Sequence, residues 1–276
     1  MLTRQGYLAR GDSRLFWKAW EPPEQMRAAV LFQHGLGEHG DRYPYLVAQL
    51  VAGGYGVYAC DARGHGRSTG RRGAVDSFDQ LVDDLDAVVW SVIRPAQHMP
   101  LVAMGYSLGG AAALTYALDH QDTLAGAISI GCAVGPGAGV ARWASFGIAP
   151  FCKIVPRMPI LRVNAEDMTN DPQVARRYTQ DPLVYHGRYS ARTLQEILIQ
   201  GRCLHTEIQR LRIPLLLIHG GGDLTADVQG SYRLATASGA TDTTLKIYPG
   251  RRHDVLNDIG HEQAVADILH WLNEHT

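Results

Sequence analysis

Apolar positions along the chain follow two rhythms. Short, nearly unbroken runs recur at Ala28 to Phe32, Gly56 to Cys60, Leu101 to Met104, Leu124 to Ile130, Ile213 to Ile218 and Thr244 to Tyr248. Runs of that length without alternation read as strands buried on both faces. Between them the spacing changes. Apolar residues at 78, 81, 82, 85, 88, 89, 92 and 93 mark one face of a helix over Phe78 to Ile93, with Asp76 or Ser77 as its cap. Leu108 to Leu118 is a second helix, built of small residues, and Glu262 to Leu272 is an amphipathic third. Strand–helix alternation at this spacing predicts an α/β fold: a mostly parallel central sheet flanked by helices on both faces.

One region breaks the rhythm. From Ala133 to Leu204 no strand pattern fits, and Gly, Pro and Arg are mixed with scattered apolar residues (Trp143, Phe146, Ile148, Phe151, Ile154, Val155, Met158, Ile160 and Leu161). A structureless loop of that length is improbable inside a compact domain. The segment is therefore expected to be an inserted helical cap. The predicted organisation is a core at 1–132, a cap at 133–204 and the rest of the core at 205–276.

Composition narrows the partners. The 276 residues carry a net charge of −1 with 46% hydrophobic residues, so a sizeable core is available and the basic excess of a nucleic-acid binder is missing. Four well-separated cysteines (Cys60, Cys132, Cys152 and Cys203) form no C-x-x-C pair, which predicts buried thiols in a reducing compartment rather than disulfides or a metal site. The first residues, MLTRQGYLARGDSRLFW, contain no signal-peptide pattern, and no apolar stretch is long enough to span a bilayer. A cytoplasmic location is expected.

Function in such sheets gathers at the carboxyl ends of the strands. His34, Asp61, Ser107, Asp223 and His253 all follow predicted strands. A serine hydroxyl is a poor nucleophile until an imidazole takes its proton, and a carboxylate must fix that imidazole's tautomer. The pattern G-x-S-x-G occurs twice, around Ser68 and around Ser107. Only Ser107 stands between a strand and a helix, where a sharp turn exposes the hydroxyl. Ser68 reads as a loop serine. The order Ser, Asp, His matches the triad of α/β-hydrolases. Among Asp223, Asp227, Asp242 and Asp254, the best acid is Asp223, in a turn at a strand end; Asp227 reads as a helix cap. His253 is the expected base, and His34 a residue that shapes its own loop. Oxyanion donors are expected from the backbone N–H groups of Leu108, at a helix N-terminus, and of Leu36, in the loop after the first parallel strand.

The strings HGLGEHGDRY at 34–43, DARGHGRSTG at 61–70, GYSLGG at 105–110, DPLVYHGR at 181–188 and YPGRRHDVLND at 248–258 resemble the monoacylglycerol lipase and lysophospholipase branch of the α/β-hydrolases. Departures are Tyr106 before the nucleophile where the family often has His, the Gly221-Gly222 pair before Asp223, and Gly131-Cys132 in place of a common Ser-Pro. The resemblance implies a serine carboxylic-ester hydrolase that cleaves monoacylglycerols through an acyl-enzyme. It implies no cofactor and no metal, a small lipid ester as partner, and transient contact of the cap with a membrane surface. It also implies that Glu38, Arg42 and Tyr178 meet the glycerol end of the substrate. Alternatives on the same triad are a thioesterase, a short-chain carboxylesterase or lysophospholipase, and a peptidase using Glu166 or Asp167. A non-catalytic binding scaffold is the reading from outside enzymology.

Overall fold

In a computed structural model of the chain, residues 1–93, 99–134 and 154–276 are described. Eight strands form one twisted sheet: β1 (Leu2–Arg10), β2 (Ser13–Glu21), β3 (Ala28–Gln33), β4 (Tyr55–Cys60), β5 (Leu101–Tyr106), β6 (Gly126–Ile130), β9 (Leu215–Gly220) and β10 (Thr243–Tyr248). Their spatial order is β1-β2-β4-β3-β5-β6-β9-β10. The β1–β2 and β2–β4 pairings are antiparallel, and all the others in this sheet are parallel. Every residue of β3, β4, β5, β6 and β9 is buried, as continuous apolar runs require when helices cover both faces.

Helices α1 (Pro44–Ala52), α2 (Phe78–Val88), α3 (Leu108–His120), α7 (Val228–Ala237) and α8 (His261–His275) cover the sheet. The hydroxyl of Ser77 caps α2 by accepting from the Gln80 N–H, and the predicted periodicity continues through a π-helical turn at Val89–Ile93. Two apolar clusters result, one on each face of the sheet. Val30, Phe32, Val102 and Met104 point to one, and Ala29, Leu31, Leu101 and Ala103 to the other.

The β1–β2 hairpin is absent from the sequence-based picture. Its outer strand is largely exposed, so it carries no hydrophobic signal. In the described part of the expected cap, 154–204, lie α4 (Ala165–Met168), α5 (Pro172–Gln180) and most of α6 (Ala191–Glu207). Two corrections apply there. A small antiparallel ribbon pairs β7 (Pro159–Leu161) with β8 (Tyr189–Ser190), strands too short to show any periodicity. And α6 runs on to Glu207, past the expected boundary at 204, because its amphipathic pattern is continuous there. Trp143, Phe146, Ile148, Phe151 and Cys152 lie outside the described residues. Cys60 and Cys132 are free and buried as expected, whereas Cys203 is free and exposed on α6.

Strand order determines where chemistry collects. β3 lies between β4 and β5, so its connection leaves on one side and the chain returns on the other. At such a switch point the loops after two adjacent parallel strands diverge and leave a crevice. Here those are the loop 34–38 after β3 and the turn at Ser107 after β5.

Candidate active site

Ser107 is the turn between β5 and α3. Its φ of 56° and ψ of −115° make it the one non-glycine residue with positive φ among the described residues. A side chain is strained in that region, and the turn holds it because its surroundings leave no room to relax. A Cβ on Gly105 would lie 1.9 Å from the Gly109 carbonyl, and one on Gly109 would lie 2.1 Å from the Gln33 carbonyl. Both positions need glycine so that β5, α3 and the end of β3 can approach closely.

Three side chains from three loops converge. The His253 Nε2 is 2.8 Å from the Ser107 Oγ, and its Nδ1 is 2.6 Å from the Asp223 Oδ2. The other oxygen of Asp223 accepts from the N–H groups of Thr225 at 2.7 Å and Ala226 at 3.0 Å. His253 is 1% exposed. Burial pushes its pKa down, but the adjoining Asp223 carboxylate outweighs burial, so the imidazole is raised above its ordinary 6.5. Burial pushes Asp223 up, yet the two imidazoles of His253 and His219 hold it well below the usual carboxylate range. The arrangement can move a proton from a hydroxyl to an imidazole whose charge is balanced by a fixed carboxylate.

The remaining candidates sort by position. Asp227 caps α7 by accepting from the Gln229 N–H at 3.0 Å. The Ser68 hydroxyl is buried as a latch, donating to the Asp61 carbonyl and accepting from the Phe16 N–H at 2.8 Å. His34 Nδ1 binds the Gly35 carbonyl at 2.7 Å and its Nε2 accepts from the Ala62 N–H at 3.0 Å, with burial pressing its pKa down to about 3. It is a neutral strut for its loop.

Leu36 and Leu108 both line a cavity of about 400 Å³ that opens over Ser107 and His253. Leu108 is the first residue of α3, so its N–H has no partner within the helix and faces the favourable end of the dipole. Much of the remaining wall is apolar and comes from residues 154–204, including Ile160, Leu161, Val163, Leu194, Ile197 and Leu198.

Glu38 also lines the cavity; Arg42 and Tyr178 stand behind it, outside the lining. Glu38 accepts from the Gly35 N–H at 2.7 Å and from the Tyr43 hydroxyl, and pairs with Arg42. The other arm of Arg42 binds Asp254 at 2.9 Å, and its guanidinium lies 4.7 Å from the Tyr178 ring centre. The Glu38 and Asp254 side chains are each 1% exposed. This buried network ties the loop carrying Leu36 to the residue beside His253. Sequence reasoning missed Asp254 as its far anchor and missed His219, whose Nε2 is 2.9 Å from the Asp223 Oδ2.

Residues 24–260 match the family described as serine aminopeptidase, S33. The chain belongs to this family of serine hydrolases. Other likenesses within the α/β-hydrolase fold run over nearly the full length. The monoacylglycerol lipase of Mycolicibacterium smegmatis is 29% identical over 273 residues, 99% of this chain and 98% of that protein. The crystal structure of the Paleococcus ferrophilus monoacylglycerol lipase superimposes with a TM-score of 0.86 at 27% identity, covering 95% of this chain and 99% of that one. A soluble variant of the Saccharomyces cerevisiae monoglyceride lipase, in complex with a substrate analogue, gives 0.88 at 25% identity over 100% and 96% of the two chains.

Proposed function

We propose that the protein is a monoacylglycerol lipase. The observation that carries this is a serine–histidine–aspartate relay at the floor of a largely apolar cavity, in a chain similar over its whole length to monoacylglycerol lipases. Ser107 is the nucleophile. As its Oγ attacks the ester carbonyl, its proton passes to the Nε2 of His253, and Asp223 balances the imidazolium. The N–H groups of Leu36 and Leu108 receive the negative oxygen of the tetrahedral intermediate. Collapse breaks the ester bond and His253 gives its proton to the departing glycerol oxygen. Water, deprotonated by His253, then cleaves the acyl-enzyme to free fatty acid.

The inserted segment 133–204 serves as the cap, and its apolar wall receives the acyl chain. Glu38 faces the glycerol, while Arg42 and Tyr178 hold Glu38 in place from behind. Exposed Ile154, Val155 and Met158 support contact between the cap and a membrane surface. No helix among the described residues is long and apolar enough to cross a membrane. On this reading the enzyme works from the cytoplasm on lipid it meets at that surface.

The test is a substrate panel. Each buried methylene is worth about 0.8 kcal/mol, so the eight carbons between C2 and C10 supply about 6 kcal/mol of binding. kcat/KM should climb steeply from C2 to C10 esters, and Glu38→Ala should slow monoacylglycerols more than p-nitrophenyl esters of the same chain. A flat profile with equal slowing would leave a generic esterase. Asp167 reaches the cavity wall and, with the family's description as serine aminopeptidase, supports the peptidase alternative. Cleavage of aminoacyl p-nitroanilides in preference to esters would favour that alternative.

A further inference from the structure

The proposed acid has a second imidazole on it. His219, at the end of β9, is fully buried, with its Nε2 2.9 Å from the same Asp223 Oδ2 that binds His253. The approach is bent rather than linear. Its Nδ1 is 2.7 Å from the hydroxyl of Ser231, a buried residue of α7. A carboxylate only accepts hydrogen bonds, so the ring nitrogen facing it carries the proton and the other accepts from the Ser231 O–H. Oδ1 accepts the N–H groups of Thr225 and Ala226, and Oδ2 accepts that of His253, with the His219 Nε2 in close contact at 2.9 Å but outside hydrogen-bond geometry.

We infer that His219, oriented by Ser231, is a positioning residue that locks the Asp223 carboxylate with Oδ2 aimed at His253. The inference rests on the triad assigned above. Without His219, Oδ2 loses the close contact that opposes the two backbone bonds on Oδ1. The carboxylate is then free to rotate, and the imidazole of His253 follows it. His219 is not among the residues lining the cavity, so its effect belongs on kcat and not on KM.

The experiment compares His219→Leu, His219→Gln, Ser231→Ala and Asp223→Asn, using steady-state hydrolysis of a p-nitrophenyl ester with thermal melting as the control for folding. Loss of this dipolar contact should lower kcat about 10-fold in His219→Leu, with KM unchanged. His219→Gln restores an N–H towards Asp223 and an acceptor towards Ser231, and should recover most of that loss. Ser231→Ala should lower kcat by a few-fold, and it decides the matter if the leucine variant does not fold. Full kcat in both His219→Leu and Ser231→Ala, or in Ser231→Ala alone when the leucine variant is unfolded, overturns the inference. So does an equal loss in folded His219→Gln and His219→Leu. Full activity in Asp223→Asn would instead overturn the triad, a result separate from any outcome at His219.

Discussion

Arg42→Met tests the buried network beneath the loop of Leu36. The wild-type guanidinium is 8% exposed and pairs with two carboxylates that are each 1% exposed. Burial pushes its pKa down, but Glu38 and Asp254 outweigh burial and hold it well above its ordinary value. Methionine keeps much of the volume and removes the charge, leaving two buried carboxylates facing one another across an apolar side chain. Removing one partner of a buried ion pair costs about 3–5 kcal/mol, because the other charge is stranded away from water. For a chain of this size, 1 kcal/mol moves Tm by about 2–4 °C, so the variant should melt roughly 6–20 °C below wild type at pH 7. Because Glu38 also accepts from the Gly35 N–H at 2.7 Å, the loop holding Leu36 should loosen and kcat should fall with stability. Differential scanning calorimetry at pH 7, paired with ester hydrolysis below the melting range, measures both effects. A Tm drop of less than about 3 °C with unchanged kcat would mean that water reaches the two carboxylates and that the network holds nothing in place.

Ser107→Ala should abolish fluorophosphonate labelling and lower ester turnover by about 10⁴ to 10⁶, with a melting curve like that of wild type; activity lost instead in Ser68→Ala would move the nucleophile. Asp223→Asn should be far more damaging to kcat than Asp227→Asn, which keeps the side-chain oxygen that caps α7 and should leave both kcat and Tm close to wild type. The relay needs His253 neutral, and its pKa is raised above 6.5, so kcat/KM should fall as pH drops through that raised value. The stability contribution of His253 has the opposite sense: it is complete below 6.5 and is lost as pH rises through the folded value, which paired rate and melting profiles would detect.

Most of the parallel core could be read from the chain because β3, β4, β5, β6 and β9 are buried on both faces, and burial writes a continuous apolar run into local sequence. The turn at Ser107 was legible for a similar reason. Strand, small residues and helix are adjacent in sequence, and the glycines at 105 and 109 record the close approach that the turn demands. Asp223 and Asp227 could be told apart from their neighbours alone, since Asp223 lies in the turn after β9 and Asp227 caps α7. The β1–β2 hairpin left no such trace, because its outer face meets water and its partner is defined by register.

What the tertiary structure decided were contacts between distant residues. Arg42, placed at the substrate by the resemblance, has its second arm on Asp254 across 212 positions of sequence. His219 looked like the end of a strand until the turn at Gly220 brought Asp223 back over its ring. Both are polar groups whose placement depends on partners that must also be buried. Local sequence carries a record of burial and of backbone turns; the pairing of buried charges exists only once the chain has closed around them.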